Sequence, residues 1–292
     1  MPTHTLARAE RFAFHSNSTG RDYEISMARA FAPPDVKTSN CPILVMLDGA
    51  LTFGTAVESA SLRTIMGQLQ PAVIVGVGYD ADLLTMVRLR TKDLTSPTPD
   101  GKHPDLAPLI GTEYGGAEGF LNFIIDELVP TIRMRAPEAS PTRIALFGHS
   151  LAGLFTIYAL MKRPDAFETF VANSPSLWWN DFAVLHLLPQ FRDRVEALPS
   201  RPRVMISVGG LEQQVPTVAP AGIDLKDFQE RVRSARMVDA ARELATTLQE
   251  GGLCPAQFVC FDNEEHGSVV AAAVARCIRF SLARQAANIA GT

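Results

Sequence analysis

"RIALFGHSLAGLFTIYAL", residues 143–160, joins a short apolar run to a longer one through Gly148-His149-Ser150. The first run has the length and continuity of a strand buried on both faces, and the second places apolar residues around a helix. A strand-to-helix junction of the type Gly-x-Ser-x-small is the setting of a nucleophile elbow. There a tight turn lifts a serine hydroxyl above the sheet, and the N-terminus of the helix faces it. Gly148 stands two residues before Ser150, where a side chain would strike neighbouring backbone. Ala152 stands two after, where glycine is more usual, and a single methyl leaves the turn feasible. A plainer alternative is that Ser150 only caps the helix. The strength of the preceding strand and the mid-chain position favour the nucleophile.

Working outward, four more apolar runs read as strands: "PILVMLD" (42–48), "PAVIVGVG" (71–78), "RVMISVG" (203–209) and "AQFVCFD" (256–262). "EGFLNFIIDELVPTIRMR" has helical spacing, and Lys226 to Glu250 reads as one helix ending at Gly251-Gly252. This alternation predicts an α/β domain with a mostly parallel, doubly wound sheet. Upstream, "RFAFHSN" and "RDYEISMARAF" flank a Thr19-Gly20 turn and predict an antiparallel hairpin at the sheet edge. The proline-rich stretch from Tyr79 to Tyr114 is weakly periodic and reads as a long functional loop. Residues 1–292 are read as one domain.

The 292 residues are 47% hydrophobic and 20% charged, with a formal net charge of −4. Without a basic excess there is no electrostatic support for binding nucleic acid or an anionic membrane. No apolar segment is long enough to span a bilayer. The N-terminal residues carry charges throughout and lack the apolar core of a secretion signal, so a cytoplasmic location is expected. Cys41, Cys254, Cys260 and Cys277 show no paired spacing and read as buried, reduced thiols. The six histidines show no metal-binding spacing, and no metal or cofactor is expected. The oligomeric state is not read from the chain.

A serine hydroxyl needs a base, and the base needs an orienting acid. In α/β-hydrolases the chain order is serine, acid, histidine. Only His186 and His266 follow Ser150. His186 lies in "DFAVLHLLPQF" and reads as a packed helix residue. His266 lies in "FDNEEHGSVV", a polar loop between the last strand and the last helix, where the base belongs. Glu212, just past "RVMISVGG", is the favoured acid over Asp224, Asp227 and Asp262. For the oxyanion, Leu151 N–H supplies one donor. Ala50 or Leu51 in "MLDGALTFG" supplies the second, with Gly49 allowing close backbone approach.

The segments "LDGALTF", "VGVGYD", "RTKDLT", "GGAEGFLNFIIDEL", "FGHSLAGLFTIYALMKRPDAFETFVANSPSLWW", "ISVGGLEQ" and "EEHGSV" fall in an order that resembles the putative esterase (esterase D-like) family of α/β-hydrolases. Within it the chain is most similar to the bacterial siderophore-esterase branch, the ferric enterobactin and salmochelin esterases. The resemblance implies an α/β-hydrolase fold and metal-independent ester hydrolysis through an acyl-enzyme, with small trilactone-type esters as substrates. It assigns Ser150 as nucleophile, His266 as base and Glu212 as acid. It also puts Arg90 close to the substrate, with a salt bridge to Asp93 as the alternative role, and offers Trp178 and Trp179 as a wall of the acyl pocket. Ala152 at the elbow and Ala50 after "LDG" depart from the family pattern. An S-acyl-glutathione-type thioesterase, an acyl transferase and a non-catalytic binding protein are the other readings.

Overall fold

Two stretches that alternate around Thr19-Gly20 pair as expected: β1 (Ala9–Ser16) and β2 (Arg21–Arg29) form an antiparallel hairpin closed at Ser16 and Arg21. The computed structural model describes residues 9–30, 38–97, 113–219 and 222–283. The hairpin borders six further strands: β3 (Cys41–Leu47), β4 (Val73–Gly78), β5 (Ala139–His149), β6 (Thr169–Asn173), β7 (Arg203–Gly209) and β8 (Ala256–Phe261). The sheet order is β1-β2-β4-β3-β5-β6-β7-β8, parallel from β4 to β8 and antiparallel through β2.

The continuous apolar runs are explained by burial on both faces. In β3, Ile43, Val45 and Leu47 join one core while Leu44 and Met46 join the other. The second core lies under α1 (Gly49–Ile65) and the last helix, which contributes Ala273, Val274, Cys277 and Ile278. Among the described residues no helix is long and apolar enough to cross a membrane. All four cysteines are unpaired. Three are buried and Cys260 is partly exposed, so the expectation of four buried thiols holds for Cys41, Cys254 and Cys277 only.

Four local expectations are corrected. The 79–114 stretch is not all loop, since Leu83–Leu94 forms helix α2. Asp82 caps it by accepting from the Leu84 and Thr85 N–H groups. Its inward face carries Arg90, Thr91, Asp93 and Leu94, so an apolar stripe is missing from the sequence. Residues 98–112 of that stretch lie outside the described residues. Second, β6 is an additional strand, five residues long and wholly buried. Third, the helix expected over Lys226 to Glu250 is two: Leu225–Ala235 and Met237–Glu250, broken at Arg236, whose φ is 46°. The first piece buries no residue, while the second buries Met237, Val238, Ala241, Leu244 and Leu248. Fourth, His186 stands exposed on a 3₁₀ turn, Ala183–Leu187, rather than packed in a helix. The 118–135 helix forms as expected, with a widened π turn at Phe123–Leu128 just ahead of Pro130, which has no N–H to give to the preceding turn.

Candidate active site

Ser150 sits between β5 and α3 (Leu151–Lys162), with φ 61° and ψ −120°. Such a backbone costs a non-glycine residue on the order of 1–3 kcal/mol and survives only where its surroundings over-determine it. They do so here. Ser150 N–H donates to Asn173 O at 3.0 Å, and Ser150 O accepts from Leu154 N–H at 2.9 Å and Ser176 N–H at 3.1 Å. A side chain at Gly148 would run into the Ala152 carbonyl, so the glycine before the serine is required. Ala152 is fully buried and tolerated. The tighter approach after the serine falls on Gly153, where an added methyl would lie 2.7 Å from Asn173 O.

The loops after β7 and β8 bring the other two residues to this hydroxyl. Gly210 N–H donates to Phe261 O and Leu211 N–H to Glu264 O, lacing the two loops together. His266 Nε2 then lies 3.0 Å from Ser150 Oγ, and His266 Nδ1 lies 2.8 Å from Glu212 Oε2. The Glu212 side chain is 1% exposed. Its other oxygen accepts from Ser174 Oγ at 2.5 Å and from Gly209 N–H at 2.6 Å. A carboxylate saturated in this way can only accept, so Nδ1 of His266 carries the hydrogen. Nε2 is left with its lone pair facing the serine. Of the rival acids, Asp224 caps a helix through the Lys226 and Asp227 N–H groups, and Asp227 and Asp262 are exposed.

No role was read from the sequence for the segment after β6, yet it touches Ser150, Glu212 and His149. Asn173 and Ser174 anchor Ser150 and Glu212 as described, and Ser176 Oγ lies 3.5 Å from Ser150 Oγ. Asn173 also holds a second imidazole. Ser207 Oγ donates to Asn173 Oδ1, and Asn173 Nδ2 lies 2.8 Å from His149 Nδ1. His149, Asn173 and Ser207 are register partners on three adjacent strands. Because the amide nitrogen can only donate, His149 Nδ1 must accept, and that ring is neutral. Burial pushes its pKa down to about 3, with the neighbouring His266 and Arg90 adding to the effect. The signal available in the sequence was the small polar cluster "NSPS" (173–176) closing a short apolar run.

Leu151 and Ala50 stand at the first and second positions of their helices, where backbone N–H groups lack intrahelical partners. Leu51 N–H is taken up by Asp48 O at 2.8 Å, which leaves Ala50 of the two expected donors. The close approach at Gly49 is to β4: an added methyl there would meet Gly76 C and Val77 N at 2.9 Å. Arg90 pairs with Asp48, at 2.7 and 2.8 Å, and not with Asp93. Asp93 instead pairs with Arg21 and accepts from the Tyr23 and Tyr79 hydroxyls. Trp178 is half-buried, while Trp179 is buried and packs against Tyr114. Among the described residues no group of three or more His, Cys, Asp or Glu is arranged to hold a metal ion.

A mostly parallel eight-stranded sheet, an N-terminal antiparallel hairpin and helices on both faces define an α/β-hydrolase-type protein. The model of the family described as Putative esterase matches residues 16–249, and the chain belongs to that family of carboxylic ester hydrolases. It is 33% identical to the ferri-bacillibactin esterase BesA of Bacillus subtilis, over 95% of this chain and 91% of that one. It is equally identical to the siderophore triacetylfusarinine C esterase of Aspergillus fumigatus, over 93% and 92%. The solved structure of siderophore hydrolase EstB from Aspergillus nidulans matches with a TM-score of 0.80 and 29% identity, covering 97% of this chain and 98% of that one.

Proposed function

We propose that the chain is a serine esterase that opens siderophore esters of the trilactone type through an acyl-enzyme. The observation that carries the chemistry is the unbroken series Ser150 Oγ, His266 Nε2, His266 Nδ1 and Glu212 Oε2, with steps of 3.0 and 2.8 Å. Ser150 Oγ attacks the ester carbonyl while its proton passes to His266 Nε2. Glu212 steadies the imidazolium, and the Leu151 and Ala50 N–H groups receive the oxyanion. Collapse breaks the carbonyl–oxygen bond, and the leaving alkoxide takes the proton from Nε2. A water molecule then gives its proton to His266 and releases the acid by the same path in reverse. Trp178 offers an aromatic wall for the acyl group. The substrate class is supported by relatives about one-third identical over nearly their full length and named for such siderophores. Cytoplasmic residence belongs to the same reading, supported by four unpaired cysteines.

The test is a comparison of the wild type with Ser150→Ala and His266→Ala on p-nitrophenyl acetate, a thioester and a cyclic siderophore triester. Each variant should lose on the order of 10⁶ in kcat, as in the best-studied serine hydrolase. The triester should be the preferred substrate, and a fluorophosphonate should label the wild type alone. Retention of rate by Ser150→Ala would sink the mechanism, and preference for the thioester would sink the substrate class.

A further inference from the structure

We propose that Arg90 is a positioning residue, a clamp that holds the two oxyanion N–H donors in register, rather than a contact for the substrate. The inference rests on the reading of Ser150 as nucleophile and of Ala50 and Leu151 as donors. Arg90 projects from α2, and its Nε and Nη2 donate to Asp48 Oδ1 and Oδ2 at 2.7 and 2.8 Å. The same Nη2 donates to His149 O at 3.2 Å. Asp48 stands two residues before Ala50, and His149 two residues before Leu151. One guanidinium therefore grips the approach to both donors at equivalent points.

Both approaches need holding. Asp48 has φ 53° and Ser150 has φ 61°, in regions of backbone space that non-glycine residues seldom occupy. β3 and β5 are parallel neighbours, paired as far as Met46 and Phe147, and past that point the sheet no longer fixes their separation. The clamp itself is anchored. Three residues along α2, the fully buried Asp93 takes Arg21 and the Tyr23 and Tyr79 hydroxyls, which ties the helix to the hairpin and to the end of β4. Desolvation erodes the stabilising worth of an ion pair that is largely buried, as this one is, so geometry is the better account of it. The planar fork of arginine matches a carboxylate with two parallel bonds and still reaches a carbonyl, which a lysine ammonium does not reproduce.

A clamp and a substrate contact differ in what they change. Loss of a substrate contact raises KM for the ester that makes it. A displaced oxyanion donor lowers kcat for every ester, including one as small as p-nitrophenyl acetate. The experiment measures kcat and KM for Arg90→Met, Arg90→Lys and Asp48→Asn on p-nitrophenyl acetate and on a cyclic siderophore triester. It adds the inhibition constant of a boronic acid that mimics the tetrahedral adduct, with thermal unfolding of each variant and Ser150→Ala alongside. Arg90→Met should lose about 10²-fold in kcat on both esters, the scale of losing one oxyanion donor. KM should change less than threefold, and boronate affinity should fall in step with kcat. Arg90→Lys, which keeps the charge and the fold, should lose about tenfold with the same pattern. Unchanged kcat in Arg90→Lys and Arg90→Met on p-nitrophenyl acetate, or a KM increase confined to the triester, overturns the clamp while leaving the serine reading intact. Activity surviving in Ser150→Ala would instead remove the reading on which the clamp rests.

Discussion

His149 and His266 lie with ring centroids 4.6 Å apart and planes tilted by 40°, yet their Nδ1 atoms meet opposite partners. His266 Nδ1 faces a carboxylate that can only accept, so that nitrogen donates and Nε2 stays open to the serine. His149 Nδ1 faces an amide nitrogen that can only donate, so it accepts, and burial keeps the ring uncharged. One side chain type is thus left with an open Nε2 facing a hydroxyl in one place, as the proposed base requires, and held neutral in the other, by a single neighbouring atom. In the proposed mechanism a charged His149 would oppose the imidazolium at His266, so the amide partner would protect the base as the carboxylate orients it.

Exchanging the partners tests this contrast. Glu212→Gln gives His266 a neighbour able to donate to Nδ1, the relation that His149 has with Asn173. The base should then turn its hydrogen toward Ser150, and kcat should fall by about 10⁴, the scale seen when a triad carboxylate becomes an amide. Steady-state kinetics checks this, and a loss of less than tenfold would deny the tautomer argument. Asn173→Asp performs the reverse exchange and lets His149 donate from Nδ1 and take up a proton. The acid limb of kcat/KM should steepen from one proton toward two, with kcat about tenfold lower at the acid end. NMR titration of the His149 ring should show its pKa well above 3. The smallest effect is on stability. An unfolded histidine ionises near 6.5, whereas folded His149 does so only at about 3. Between those values the unfolded chain holds a proton that the folded chain refuses. The contribution of His149 is therefore whole above pH 6.5 and drains away as pH falls toward 3. Urea midpoints at pH 7 and pH 4.5 should differ more for the wild type than for His149→Gln.

Ser150, His266 and Glu212 were legible as candidates because each follows a strand: Ser150 and Glu212 come after an apolar run closed by glycine, and His266 comes after an apolar run closed by the polar stretch "DNEE". β6 was not, because five residues of "TFVAN" fall below the length at which an apolar run stands out. With it went Asn173 to Ser176, the segment that braces Ser150, Glu212 and His149. α2 was hidden for a different reason. Its inward face carries Arg90 and Asp93, and those charges turn inward only because Asp48, Arg21 and two tyrosines wait in distant parts of the chain. A periodicity of apolar residues carries no trace of such pairs. The break at Arg236 belongs with these, since only packing distinguishes the buried half of that helical stretch from the half that buries nothing.

The loop that carries His266 leaves from β8, the last strand of the sheet, which among the described residues is paired on one side only and has no fully buried residue. β6, by contrast, is buried along its whole length. Gentle heating should therefore fray the β8 margin first and let the imidazole drift away from a serine that is still rigidly presented. Turnover would cease several degrees before the bulk of the sheet melts, and would return on cooling, so that inactivation reports on one border of the molecule rather than on its collapse.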